Sequence, residues 1–178
     1  MKEIIQREHP VLRETAKSVP IEDIRSDKIK AIIANLSQAM SLQKDGVAIA
    51  APQIGENLRI FVISARLLKQ ADKSYKGDGK TDLVFINPEI IKASKEKKPV
   101  EEGCLSVRWL YGKVRRSVRV TLQAYNENGE KIERGASGLL AQIFQHEVDH
   151  LNGILFTDKA KEVWEMSPEE VAEMQKAQ

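Results

Sequence analysis

His146, Glu147 and His150 stand in the stretch "QHEVDH", with the two imidazoles four residues apart and a carboxylate beside the first. Four residues is slightly more than one helical turn, so both rings can offer a nitrogen to one ion without bending the backbone. Glu147 falls beside that face, where its carboxylate can serve a water rather than the ion itself. Two ligands and a base are the core of a metal-assisted hydrolase. A catalytic metal, however, wants three protein ligands and one open position.

The third ligand is not supplied nearby. The extended metalloprotease pattern places a further histidine after a glycine. Here Gly153 is in register, but Phe156 occupies the histidine position. A glutamate from later in the chain is a second option, with Glu162 and Glu165 as candidates, although neither stands in an apolar run that would hold it rigidly. The chain's one cysteine, Cys104 in "EEGCLS", is the remaining strong ligand. As a nucleophile it is poorly placed, because Glu101 and Glu102 would disfavour its thiolate. A bound dication reverses that balance and deprotonates the thiol.

The elements around these residues follow from periodicity. "SGLLAQIFQHEVDHLNG" carries Leu139, Ile143, His146 and His150 along one helical stripe, with Gly153 as its stop. "SDKIKAIIANLSQAM" is a second amphipathic helix, capped by Ser26 or Asp27. "LRIFVIS", "LVFINPEII" and "SVRVTLQAY" read as strands, and "NENG" turns the last of these into "EKIERGA". Lys69 to Asp82 reads as a polar loop. Ser167 and Pro168 open a terminal helix. Helices and strands without regular alternation predict an α+β chain, a single domain over residues 1–178.

Composition bounds the partners. Net charge is only +2, so no specific nucleic-acid ligand is implied. Lys113, Arg115, Arg116 and Arg119 are expected to be a solvated strand face. No apolar run reaches the length of a membrane span, and one cysteine excludes an internal disulfide, so a cytoplasmic protein is expected. Without an exposed heptad or a long apolar patch, a monomer is expected.

Three separated motifs make the chain resemble the peptide deformylase family: "GVAIAAPQ" (Gly46 to Gln53), "EGCLS" (Glu102 to Ser106) and "QHEVDHLNG" (Gln145 to Gly153). "HPVLRETAKSV" and "LFTDKA" are similar to its flanking segments, so the resemblance runs from about His9 to Lys161. It implies small antiparallel sheets packed around a central metal-bearing helix, with a C-terminal helix. It also implies that Cys104, His146 and His150 bind one divalent metal, usually Fe2+, with Zn2+, Ni2+ or Co2+ able to replace it. Glu147 is then the proton carrier in hydrolysis of an N-formylmethionyl peptide, with Gln53 and the Leu105 N–H on the oxyanion.

Gly46, Val47, Ala48, Val100, Glu102, Leu139 and Ile143 are the expected substrate-binding residues, the peptide adding as a strand along Gly46–Ala48. The implied partners are nascent chains near the ribosome. Ala48 stands where the family usually has the second glycine of G-x-G, and Arg108 and Trp109 stand where many relatives have turn residues. The tail, with Glu169, Glu170 and Glu173 against Lys176, lacks the basic character of a ribosome-docking helix. Two alternative functions are a metallopeptidase with a glutamate as third ligand, and a metal-binding relative that lacks activity.

Overall fold

Local signals in the sequence set most of the elements. The computed structural model describes residues 2–72 and 75–176. The helices are α1 (Asp27–Ser41), α2 (Ala65–Ala71), α3 (Gly138–Leu151), α4 (Phe156–Lys159) and α5 (Pro168–Lys176). The strands are β1 (Ala48–Ala50), β2 (Ile60–Ile63), β3 (Leu83–Ala93), β4 (Lys97–Gly103), β5 (Leu110–Ser117), β6 (Arg119–Tyr125), β7 (Lys131–Ser137) and β8 (Glu162–Glu165). Ser26 caps α1 by accepting a hydrogen bond from the Ile29 N–H at 3.3 Å. Ser167 and Glu170 cap the start of α5 reciprocally, the Ser167 N–H bonding Glu170 and the Glu170 N–H bonding Ser167 Oγ.

Two antiparallel sheets result, as an α+β chain requires. One has the order β1-β2-β3-β6-β7 and the other β4-β5-β8. Strand β2 is buried throughout because both of its faces are covered. Phe61 and Ile63 point to α3, whereas Ile60 and Val62 point to the side packed by α1. Phe61 stacks on Phe85 at 4.8 Å, and Phe144 of α3 meets Phe85 edge-on at 5.1 Å. These rings lock the helix that carries both histidines onto the larger sheet. On its other flank, Val107, Val114, Leu155 and Phe156 form a separate apolar cluster with Val11 and Leu12.

The β6–β7 hairpin turns at Asn126–Gly129, where the Asn126 side chain accepts from the N–H groups of Asn128 and Glu130. Four strands, β1, β4, β5 and β8, and two short helices, α2 and α4, are additions to the sequence reading. β4, β5 and β8 carry few buried apolar side chains, so their alternation is faint, and they are held by pairing with one another. The expected loop Lys69–Asp82 begins as the last turn of α2, which Ser64 caps. Residues 73 and 74 of that loop, and 177 and 178 of the tail, lie outside the described residues.

Candidate metal centre

α3 delivers its functional side chains because its two long faces differ in chemistry. Phe144, Val148 and Leu151 face the sheet, while His146 and His150 face the turn that follows β4. The helix ends at Leu151, and the chain turns away at Gly153, whose φ of +72° suits glycine. A Cβ there would lie 2.6 Å from the Arg13 carbonyl oxygen, so the close packing of the chain's early segment also demands glycine.

Cys104 reaches the same point from β4. The ligand atoms of Cys104, His146 and His150 all lie within 4.8 Å of one another, with Cys104 Sγ 3.1 Å from His150 Nε2. Among the described residues these three form the one His/Cys/Asp/Glu cluster able to hold a metal. A thiolate with two imidazoles suits iron(II) or zinc. Phe156 lies in the apolar cluster beside them, and Glu162 and Glu165 are on β8, outside the cluster.

The charges around the cluster are strongly coupled. Burial opposes ionisation of the Cys104 thiol, yet the facing His150 and His146 rings bring it down to about 5. Burial likewise opposes protonation of His146, but Cys104 and Glu102 hold it well above the usual imidazole range. The pocket therefore favours a thiolate opposite positive charge, which is the charge pattern a dication would satisfy. His150 Nδ1 and Glu147 Oε2 are buried without a hydrogen-bond partner. Burial raises the Glu147 carboxyl. A buried polar atom without a partner is costly unless a ligand, ion or water completes it.

Behind His146 stands a buried ionic network. Glu102 Oε2 is 2.9 Å from His146 Nδ1, which leaves the ring's Nε2 for an ion. Arg116 grips the same carboxylate with two bonds, and its third reaches Asp149 Oδ2 at 2.6 Å. Lys159 closes the network on Asp149 Oδ1 at 2.6 Å. Burial pushes the Glu102 carboxyl up, but Arg116 and His146 outweigh it and hold it at about 2. One expectation is corrected here: Arg116 is buried rather than part of a solvated basic face. Glu102 borders the cleft as expected of a lining residue, with its carboxylate engaged by Arg116 and His146.

Gln53 approaches from the 3₁₀ turn that follows β1. Its Oε1 accepts from the Ala50 N–H at 2.8 Å, which fixes the amide's orientation. Its Nε2 donates to Ser106 Oγ at 3.1 Å and lies 3.5 Å from Cys104 Sγ. A cleft of about 290 Å³ opens beside these groups. Val47, Ala48, Leu105, Leu139 and Ile143 line it together with Cys104, His146, Glu147 and Gln53.

Two of the expected substrate-binding residues fall outside that lining. Val100 faces a neighbouring depression with Gly138 and Gln142. Gly46 packs on the end of α1, where a Cβ would lie 3.0 Å from the Met40 carbonyl oxygen. The sequence reading missed the roles of Ser106, Arg116 and Asp149. The acid inside "HEVDH" was the available signal, because a carboxylate that deep in an apolar helix must find a cation.

The comparisons agree with this geometry. A family model for polypeptide deformylase matches residues 1–165. The peptide deformylase of Carboxydothermus hydrogenoformans is 42% identical over 160 residues, covering 90% of this chain and 93% of that protein. Peptide deformylase 2 of Clostridium acetobutylicum is 38% identical, covering 91% of this chain and 97% of that protein. The crystal structure of peptide deformylase from Thermotoga maritima superposes with a TM-score of 0.77 at 34% identity, over 91% of this chain and 99% of that one. A Met-Ala-Ser-bound class I type b peptide deformylase from Acinetobacter baumannii gives 0.78 at 33% identity, over 88% and 96%. With a thiolate, two imidazoles and a buried glutamate converging on one cleft, the chain belongs to the polypeptide deformylase family, metal-dependent hydrolases that remove the N-formyl group from newly made chains.

Proposed function

We propose that deformylation here is carried by Glu147, with Cys104, His146 and His150 holding the metal. The observation that carries this reading is the buried Glu147 carboxylate, one oxygen of which has no partner, lying one residue from His146 on the same cleft. A bound divalent ion would lower the pKa of a water and polarise the formyl oxygen. Fe2+ is the ion we assign, with Zn2+, Ni2+ or Co2+ as substitutes on the same donors.

Glu147 accepts a proton from the attacking water as its oxygen bonds to the formyl carbon. When the carbon–nitrogen bond breaks, Glu147 returns that proton to the departing amine, and formate is the second product. Burial raises the Glu147 carboxyl above the ordinary carboxylate range, which makes it a better proton acceptor than an exposed glutamate. The Gln53 amide and the Leu105 N–H border the same cleft and supply donors for the developing oxyanion. Val47 and Ala48 present a strand edge for the peptide backbone, and Leu139 and Ile143 an apolar wall for the methionine side chain.

The substrates are formylmethionyl ends of nascent chains, met in the cytoplasm near the ribosome by a monomer. No helix of the described residues is long and apolar enough to cross a membrane. The test is formate release from formyl-Met-Ala by metal-loaded protein. No release with any of the four ions would overturn the assignment.

A further inference from the structure

Arg108 and Asp45 join two segments that the sequence places far apart. Arg108 Nη1 donates to Asp45 Oδ2 at 2.6 Å and Nη2 to Asp45 Oδ1 at 3.2 Å. Nη2 also donates to Gln43 at 2.8 Å. The side chains of Arg108 and Asp45 are only 19% and 17% exposed, so solvent screens the pair weakly. The Trp109 ring covers the guanidinium at 4.7 Å.

Both partners line the cleft of the metal centre. Asp45 precedes Val47 and Ala48 on the edge that ends at Gln53, and Arg108 follows Cys104 and Leu105 on the opposite wall. The segment ahead of β1 has few other anchors. Its backbone bonds are local turns, Gly46 N–H to Gln43 and Val47 N–H to Asp45, until the Val47 carbonyl meets Ser64 N–H. The Val47–Ala48 edge is held to the larger sheet by the Val47 carbonyl bond and the pairing of Ala48 with Ile63, and the bidentate pair adds a direct tie from the start of that edge to the wall that carries Cys104.

We infer that the Asp45–Arg108 ion pair is a cross-cleft clamp that positions the Val47–Ala48 edge for the substrate's main chain. Neither residue touches the reacting atoms. Both act by holding one wall of the cleft at a set distance from the other. An extended peptide advances about 3.3 Å per residue, so a chain pairing at Ala48 and running back past Val47 reaches the clamp within about three residues. The clamp thus bears on the segment after the methionine rather than on the formyl group. The substrate named here rests on the deformylase reading, whereas peptide binding can be read without turnover.

The experiment uses the metal-loaded full chain and two probes, Met-Ala-Ser for calorimetric binding and formyl-Met-Ala-Ser for formate release. Arg108→Met and Asp45→Asn should each raise Kd and KM about tenfold, or about 1.4 kcal/mol. The turnover number kcat should stay within about threefold, because only uniform binding is lost. Arg108→Lys, which keeps the charge but not the fork, should also weaken binding. The double variant should bind no worse than either single one, because one interaction has been removed twice. Single variants that bind as tightly as wild type would overturn the clamp. So would additive losses in the double variant, an equal loss in kcat, or a wild-type protein that does not bind Met-Ala-Ser. A wild type that binds Met-Ala-Ser without releasing formate would remove the deformylase reading alone, and the Kd series would still decide the clamp.

Discussion

Arg116 holds Glu102 with two parallel hydrogen bonds, Nε to Oε1 at 2.7 Å and Nη2 to Oε2 at 2.9 Å, and the same Oε2 meets His146 Nδ1. A guanidinium on β5 therefore sets the orientation of a ligand on α3 through a carboxylate on β4. Replacing Arg116 with Met would leave Glu102 and Asp149 buried without their main cation. We expect a loss of about 3–5 kcal/mol in denaturant unfolding, together with weaker metal retention. Changing Glu102 to Gln in the same chain should recover part of the loss, since one of the unpaired charges is then gone.

Glu147→Ala should lower kcat for formate release by about 10²–10⁴-fold while metal content stays near that of wild type. Elemental analysis beside the rate assay separates the two effects. A variant that lost its metal would make Glu147 part of the ion's support rather than the proton carrier.

Cys104→Ser should lose metal on dialysis under conditions in which the wild type retains it, because the hydroxyl does not ionise to replace the thiolate. Chelation of the wild type should abolish activity and lower Tm, since an ion that binds only the folded chain stabilises it. Adding back Fe2+, Zn2+, Ni2+ or Co2+ should restore both. Restored activity in a metal-retaining Cys104→Ser protein would instead favour a glutamate as third ligand.

Asp158 gives a stability signal at acid pH. Burial pushes its carboxyl up, but the Arg13 bond at 2.5 Å and the Leu155 N–H hold it below the usual 3.8. The folded value is the lower one, so this stabilisation is present above pH 3.8 and disappears as pH falls through the depressed value. Both side chains are more than a third exposed, so the contribution is under about 1 kcal/mol. Arg13→Ala should remove it at pH 6 and make little difference at the acid end of the window, as judged by urea midpoints.

How much of this was legible depended on the range of the signal. Helical spacing put His146 and His150 on one face, and the Ser26 and Ser167 caps and the "NENG" turn fixed element ends, because these effects act within one turn of chain. The resemblance at Cys104 supplied the third ligand, which spacing alone had left open between cysteine and glutamate. Strands β4, β5 and β8 escaped notice because few of their positions carry buried apolar side chains, and a strand held by its neighbours need not announce itself by hydrophobic alternation.

By itself the sequence determined the α+β composition, the helix that bears two imidazoles and a base, and the family. Tertiary structure decided which charges are buried. Arg116 looked like one cation in a basic run, but a strand's alternation turns it inward while Arg115 stays outside. Arg108 and Asp45 met for a similar reason: the turn after Cys104 and the segment before β1 converge only when both sheets are in place. Ion pairs between distant segments leave no periodic trace in sequence, since their partners are chosen by the packing of the elements that carry them.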